Sequence, residues 1–189
     1  MVAARVAWRN DQTKLQDRRL IFLDETWFST NMARRYGRSP RGTRAVAAVP
    51  HGHWKTSTFI AGLCRDGIVA PFVFDCAING DIFRQYIRDL LAPILRPGDI
   101  VIADNLAAHK VAGIRETIEA RRATLLYLPA YSPDLNPIEL LFAKLKSLLR
   151  SRAARTVGAL WDSLGDCIAQ VSPEECQRYI RHAGYGHPA

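Results

Sequence analysis

Short apolar runs dominate the early part of the chain, and helical spacing takes over later. Leu20-Ile21-Phe22-Leu23 predicts a buried strand that ends at Asp24-Glu25. Ala45 to Val49 and Ser57 to Cys64 predict strands flanking the polar turn Pro50-His51-Gly52-His53. Arg65-Asp66-Gly67 marks a tight turn into a strand from Ile68 to Phe74. Asn79 then predicts the cap of a helix running to about Leu91, with Ile82, Phe83, Tyr86, Ile87, Leu90 and Leu91 on one buried face. Pro97-Gly98 turns the chain into Ile100 to Ala103, a continuous apolar run suited to a central strand and ended by Asp104-Asn105. A helix from about Lys110 to Arg121 and a strand from Thr124 to Leu128 follow.

A proline-rich loop leads to the next helix. Pro137 in the first turn and Asn136 as its cap fix where that helix starts. Ile138, Leu141, Phe142, Leu145, Leu148 and Leu149 form its apolar face; Glu139, Ala143, Lys146 and Arg150 line the other. Two more helices, about Val157 to Ala169 and Pro173 to His182, close the chain. Residues 1–17 are weakly patterned, the tail of a helix or a frayed end. The whole order implies an α/β fold, a mixed sheet with helices on its faces.

Composition narrows the class. The chain has 189 residues, 48% of them hydrophobic, enough for one domain with a real core. A formal net charge of +8 favours a polyanionic partner, with nucleic acid ahead of a membrane surface. No apolar run reaches the ~20 residues of a membrane span, and the start is too short and polar for a secretory signal. A cytoplasmic protein is expected. The four cysteines show no zinc-type spacing; Cys64 and Cys76 read as reduced core residues.

Three acids stand out. Asp24 and Asp104 each follow an apolar strand, and Glu139 enters from a helix whose start is pinned. Carboxylates brought together without matched cations repel one another, and a divalent metal removes that cost. Magnesium prefers oxygen ligands and leaves positions open for phosphate. Each acid also has an ordinary reading: Asp24 and Asp104 as turn residues, Glu139 as the acid of a capping box with Asn136.

The segments Phe22-Leu23-Asp24-Glu25-Thr26-Trp27, Ala103 to Lys110 (ADNLAAHK) and Leu128 to Lys146 (LPAYSPDLNPIELLFAKLK) are what distinguish these readings. They resemble the transposases of bacterial insertion sequences in the mariner-like superfamily, which are DDE endonucleases. Thirty-four residues separate Asp104 from Glu139, an interval that branch shares. The resemblance runs from about Trp8 to the C-terminus. It implies a ribonuclease H-like fold, a mixed five-stranded sheet with helices on both faces and extra C-terminal helices. It implies that Asp24, Asp104 and Glu139 are catalytic and bind two Mg2+ or Mn2+ ions, with Asn105, His109 and Asn136 in support. It further implies cutting of transposon-end DNA and joining of 3′ ends to target DNA at TA, by a homodimer associated with the bacterial nucleoid.

Relatives carry helix-turn-helix modules ahead of this domain, whereas 23 residues precede Asp24 here. The expectation is therefore an extension over 1–17 and a catalytic domain over 18–189, the chain being either a second reading frame fused by frameshifting to an upstream helix-turn-helix polypeptide or a truncated copy. A catalytically silent DNA-binding remnant and a ribonuclease H-like host nuclease are the rival readings. Arg34, Arg35, Arg38, Arg41 and Arg44, with Lys146 and Arg150, are candidates for holding DNA phosphates. Trp27, Phe28 and Tyr36 read as core or loop aromatics, Glu25 as a structural acid on the far face of its strand, and His51 and His53 as hairpin residues.

Overall fold

The computed structural model describes residues 2–15 and 17–186. Residues 1, 16 and 187–189, which belong to the expected extension and domain, lie outside the described residues. The elements are α1 (Val2–Gln12), β1 (Leu20–Ser29), β2 (Thr56–Cys64), β3 (Gly67–Phe74), α2 (Gly80–Tyr86), β4 (Ile100–Ala103), α3 (Ile114–Glu119), β5 (Thr124–Tyr127), α4 (Ile138–Arg152), α5 (Val157–Ala169) and α6 (Pro173–His182). One five-stranded sheet has the order β3-β2-β1-β4-β5. Strands β1, β2 and β3 pair antiparallel, and β4 and β5 join β1 in parallel. This is the expected mixed sheet.

The period of two along β1 builds the layers. Leu20, Phe22 and Phe28 face α4, α5 and α6, where Phe142, Leu145, Leu164 and Ile180 close a core. Ile21 and Leu23 face the other way, onto Phe83 and Ile87 after β3 and Ile118 of α3. Helices therefore cover both faces. The same alternation sends Asp24 toward α4 and Glu25 toward the opposite layer.

Several expectations need correction. Strand β1 does not end at Asp24 but continues to Ser29, because β2 keeps pairing with it after β4 has stopped. Ala45 to Val49 forms no strand; no partner strand reaches it, and Val46 and Val49 are exposed. The helix expected from Lys110 to Arg121 is a 3-10 turn over Ala107–Lys110 and the shorter α3, separated by Gly113 at φ 91. Cys76 is exposed, while Cys64, Cys167 and Cys176 are buried thiols. The weakly patterned start is helical. Asn79 does cap α2, its side chain accepting the Ile82 N–H at 2.9 Å. No helix among the described residues is long and apolar enough to cross a membrane.

Candidate active site

The parallel pairing of β1 with β4 stops at Leu23 opposite Ala103. Asp24 and Asp104 are the next residues: Asp104 follows the carboxyl end of β4, and Asp24 lies within β1 where its parallel pairing ends and only β2 still accompanies it. In open α/β sheets this is the edge where ligands bind. A cleft of about 340 Å³ opens there, and Asp24, Asp104, Asn105, Tyr131, Asn136 and Glu139 line it. The structure thus brings the three acids to one cleft from two strands and a helix.

Asp24 is the most constrained of them, with 6% of its surface exposed. Its Oδ1 accepts the Glu25 backbone N–H at 2.8 Å, and its Oδ2 accepts Asn136 Nδ2–H at 2.8 Å. Asn136 is therefore not the side-chain cap of α4. Pro137 occupies the cap position without a side-chain bond, and the Glu139 N–H reaches only the Asn136 backbone oxygen. The bond to a carboxylate is charge-assisted and stronger than a neutral cap. Among the described residues, Asn136 Oδ1 is buried without a hydrogen-bond partner.

The loop carrying Asn136 is tied down from both ends of the chain. Arg5 of α1 forks onto Asp134, 2.8 Å to each oxygen, and Arg9 adds a contact at 3.2 Å. Trp8 Nε1–H donates to the Tyr185 hydroxyl at 2.7 Å, which donates to the Leu135 carbonyl at 2.9 Å. Tyr131 within this loop has a left-handed backbone, φ 55, and an exposed ring. None of these ties was legible in the sequence, because partners 50 to 177 residues apart leave no local pattern.

Asp104 is fixed differently. Its Oδ1 accepts the Leu106 N–H at 3.0 Å and lies 2.5 Å from His109 Nδ1, an ion pair not aligned as a hydrogen bond. His109 is fully buried, stacks on Phe83 at 4.1 Å, and its Nε2 meets Glu25 Oε2 at 2.9 Å. Burial opposes charge on this imidazole, but the two carboxylates outweigh it and push its pKa up to about 9. Sequence reasoning named His109 and left Glu25 as a structural acid; the contact between them is what it missed. Asn105 is exposed at the cleft.

Burial pushes the Asp24 carboxyl well above the usual range, and the charges of Glu25, Asp104 and Glu139 add to this against the Glu25 N–H bond. Crowded anions of this kind suit a divalent cation. Among the described residues, no three acidic, histidine or cysteine side chains stand close enough to enclose an ion as they are. Magnesium takes one or two carboxylates and completes its shell with water and substrate phosphate.

A cationic group flanks the cleft. Lys146 Nζ lies 5.4 Å over the Trp27 ring. Burial lowers the Lys146 pKa, Arg150 and Arg35 lower it further, and Glu139 and Asp24 oppose them. Burial and Arg35 also depress Arg150. Arg35 thus lies near enough to Lys146 and Arg150 to repel both. Arg34, Arg38, Arg41 and Arg44 stay exposed along the loop. Phe28 is core, Trp27 and Tyr36 are exposed, and His51 and His53 are exposed loop residues.

Comparison with known proteins bears on the fold and the family. The sequence profile described as DDE superfamily endonuclease matches residues 19–160. The Tcb1 transposase of a Caenorhabditis briggsae transposable element is 27% identical over 152 residues, covering 70% of this chain and 55% of that protein. The Tcb2 transposase of the same organism is 28% identical over 131 residues, covering 64% and 46%. The chain thus spans about half the length of the curated relatives it matches. The Mos1 mariner paired-end complex with Mn superposes with a TM-score of 0.76 at 20% identity, covering 95% of this chain and 58% of that one. The catalytic domain of Mos1 superposes at 0.69 with 19% identity, covering 96% and 88%. At these identities the structures establish the fold, and the profile match over most of the chain establishes the family: this protein belongs to the DDE superfamily of endonucleases.

Proposed function

We propose that this chain is the catalytic domain of a mariner-type transposase, cutting phosphodiesters at transposon ends and joining the 3′ ends to target DNA at TA. The observation that carries this reading is the meeting of Asp24, Asp104 and Glu139 at one cleft, on the strand edge where open sheets bind ligands. The relatives support it: two are transposases by name, and the Mos1 structures include a strand transfer complex and paired-end complexes with Mn and with Mg. We assign catalysis to residues 18–189, with 1–17 as an extension whose Arg5, Trp8 and Arg9 bond Asp134 and Tyr185 of that domain.

In this reading Asp24, Asp104 and Glu139 hold Mg2+ or Mn2+, two ions per site. When bound, such ions neutralise phosphate charge and make a nucleophile available at neutral pH. The reaction is in-line attack on a phosphodiester by water or by a 3′-hydroxyl. Asn136 and the Glu25 N–H keep the Asp24 oxygens oriented toward it. Lys146, Arg150 and Arg35, whose mutual repulsion a polyanion relieves, receive the DNA backbone beside the cleft. Arg34, Arg38, Arg41 and Arg44 add affinity without sequence choice.

The test is Glu139→Gln, which preserves shape and helix start. Magnesium-dependent nicking of duplex DNA carrying an element end is expected to vanish, and undiminished cutting would sink the assignment. Calorimetry with Mn2+ adds a second reading. Binding lost in Asp104→Asn supports a live site, whereas no binding even with DNA present favours the silent remnant.

A further inference from the structure

Asp104 lies one residue beyond the last paired position of β4, so the sheet no longer fixes its carboxylate. Something else must choose which oxygen the cleft receives. Its Oδ1 is occupied on the protein side by the Leu106 N–H and by His109 Nδ1 at 2.5 Å, which leaves Oδ2 for the cleft.

His109 can choose only if its own ring is immobile. Phe83 stacks on one face at 4.1 Å, and the Tyr127 hydroxyl donates to the His109 carbonyl at 2.7 Å. These contacts fix the plane and the backbone but not the rotation of the ring edge toward Asp104. Glu25 Oε2, 2.9 Å from Nε2, fixes that edge. Glu25 reaches it because strand alternation sends it to the face opposite Asp24. One dipeptide of β1 thus serves the cleft twice, through Asp24 directly and through Glu25 from behind.

We propose that Glu25 is a positioning residue that acts through His109 to present Asp104 Oδ2 to the cleft. The inference rests on the assignment of Asp104 as a metal ligand. The logic is that of carboxylate–histidine pairs behind metal centres, where loss of the outer partner weakens metal affinity or activity by about 10–100-fold. A carboxylate replaces histidine as the ligand here, and the imidazole stands one place further back.

The experiment uses the full chain, with Mn2+ affinity by calorimetry and the kcat and KM of duplex nicking. Glu25→Ala is expected to raise the Mn2+ Kd about tenfold and lower kcat by about 10–100-fold, with KM for DNA within about twofold. Glu25→Gln, whose carbonyl still accepts from Nε2–H, should recover most of both. In a His109→Ala background, Glu25→Ala should add nothing further, since the two act in series. A purely structural pair would instead lower the melting temperature while leaving Kd and kcat of the folded protein at native values. That result, together with loss of both in Asp104→Asn, would overturn the proposal alone. Native Kd and kcat in Asp104→Asn itself would overturn the metal assignment, and this inference with it.

Discussion

In the proposed function the acid cleft and the loop of residues 31–55 both serve a polyanion, yet they are built in opposite ways. In the cleft both aspartates are held by named partners: Asp24 by Asn136 and a backbone N–H, Asp104 by Leu106 and His109. The loop is fastened at its base, where the Thr30 N–H meets the Lys55 carbonyl at 3.0 Å and Arg155 bonds the Thr30 and Met32 carbonyls. Beyond that base its five arginines, Tyr36 and Trp54 stand in solvent. Bond-making chemistry requires oxygens placed to a fraction of an ångström, which rigid elements supply. Phosphate attraction acts over a Debye length and requires only charge. The two regions meet at Arg35, Lys146 and Arg150, where loop charge reaches the α4 face beside Glu139.

The largest test of this contrast is Asp24→Asn. It is expected to reduce metal-dependent nicking by about 10³-fold or more, because several kcal/mol of charge stabilisation are lost. The same change removes a buried anion from among three others, so the melting temperature should hold or rise by about 2–4 °C. A fall in both would mean that Asp24 is structural. Next is replacement of Arg34, Arg35, Arg38, Arg41 and Arg44 together by Gln. Measured as log affinity for DNA against log salt, the slope should shrink by about 4.5, while single-turnover cutting at saturating DNA stays near native. A lost turnover with an unchanged slope would reverse the roles of the two regions.

Asn136→Ala comes third, with cutting reduced about 10–100-fold and DNA affinity unchanged. It sharpens the comparison because it disturbs one hydrogen bond at the cleft without altering charge. The smallest effect is expected of Arg38→Gln alone. The salt slope should fall by about 0.9, and stability should stay within about 0.5 kcal/mol of native. A larger stability loss would show that the loop is packed more firmly than its exposure indicates.

Much of the site's identity was legible in local signals. Apolar runs announced β1 and β4, and a polar residue directly after each is conspicuous when only one edge of the sheet opens there. Proline at the start of α4 placed Glu139. The same local reasoning went astray where a distant partner intervened. Asn136 had the right residue type and position for a cap, but Asp24, 112 residues away, captures its amide. Asp24 looked like a strand terminus, but β2 continues the pairing to Ser29. Ala45 to Val49 had strand composition and no neighbour to pair with. Cys76 sat among apolar residues in sequence and at the surface in space.

The sequence by itself determined most of the element types, the two apolar faces of β1 and the positive charge, because each follows from side-chain chemistry and periods of two or 3.6 residues; the three acids were singled out by the family resemblance of the segments that hold them. Only the tertiary structure decided that β1 and β4 part at Leu23 and Ala103, that Asn136 serves Asp24, and that Glu25 stands behind His109. Those facts depend on strand order and on crossovers of many residues. A chain pattern specifies which face a side chain takes, but not which neighbour waits there.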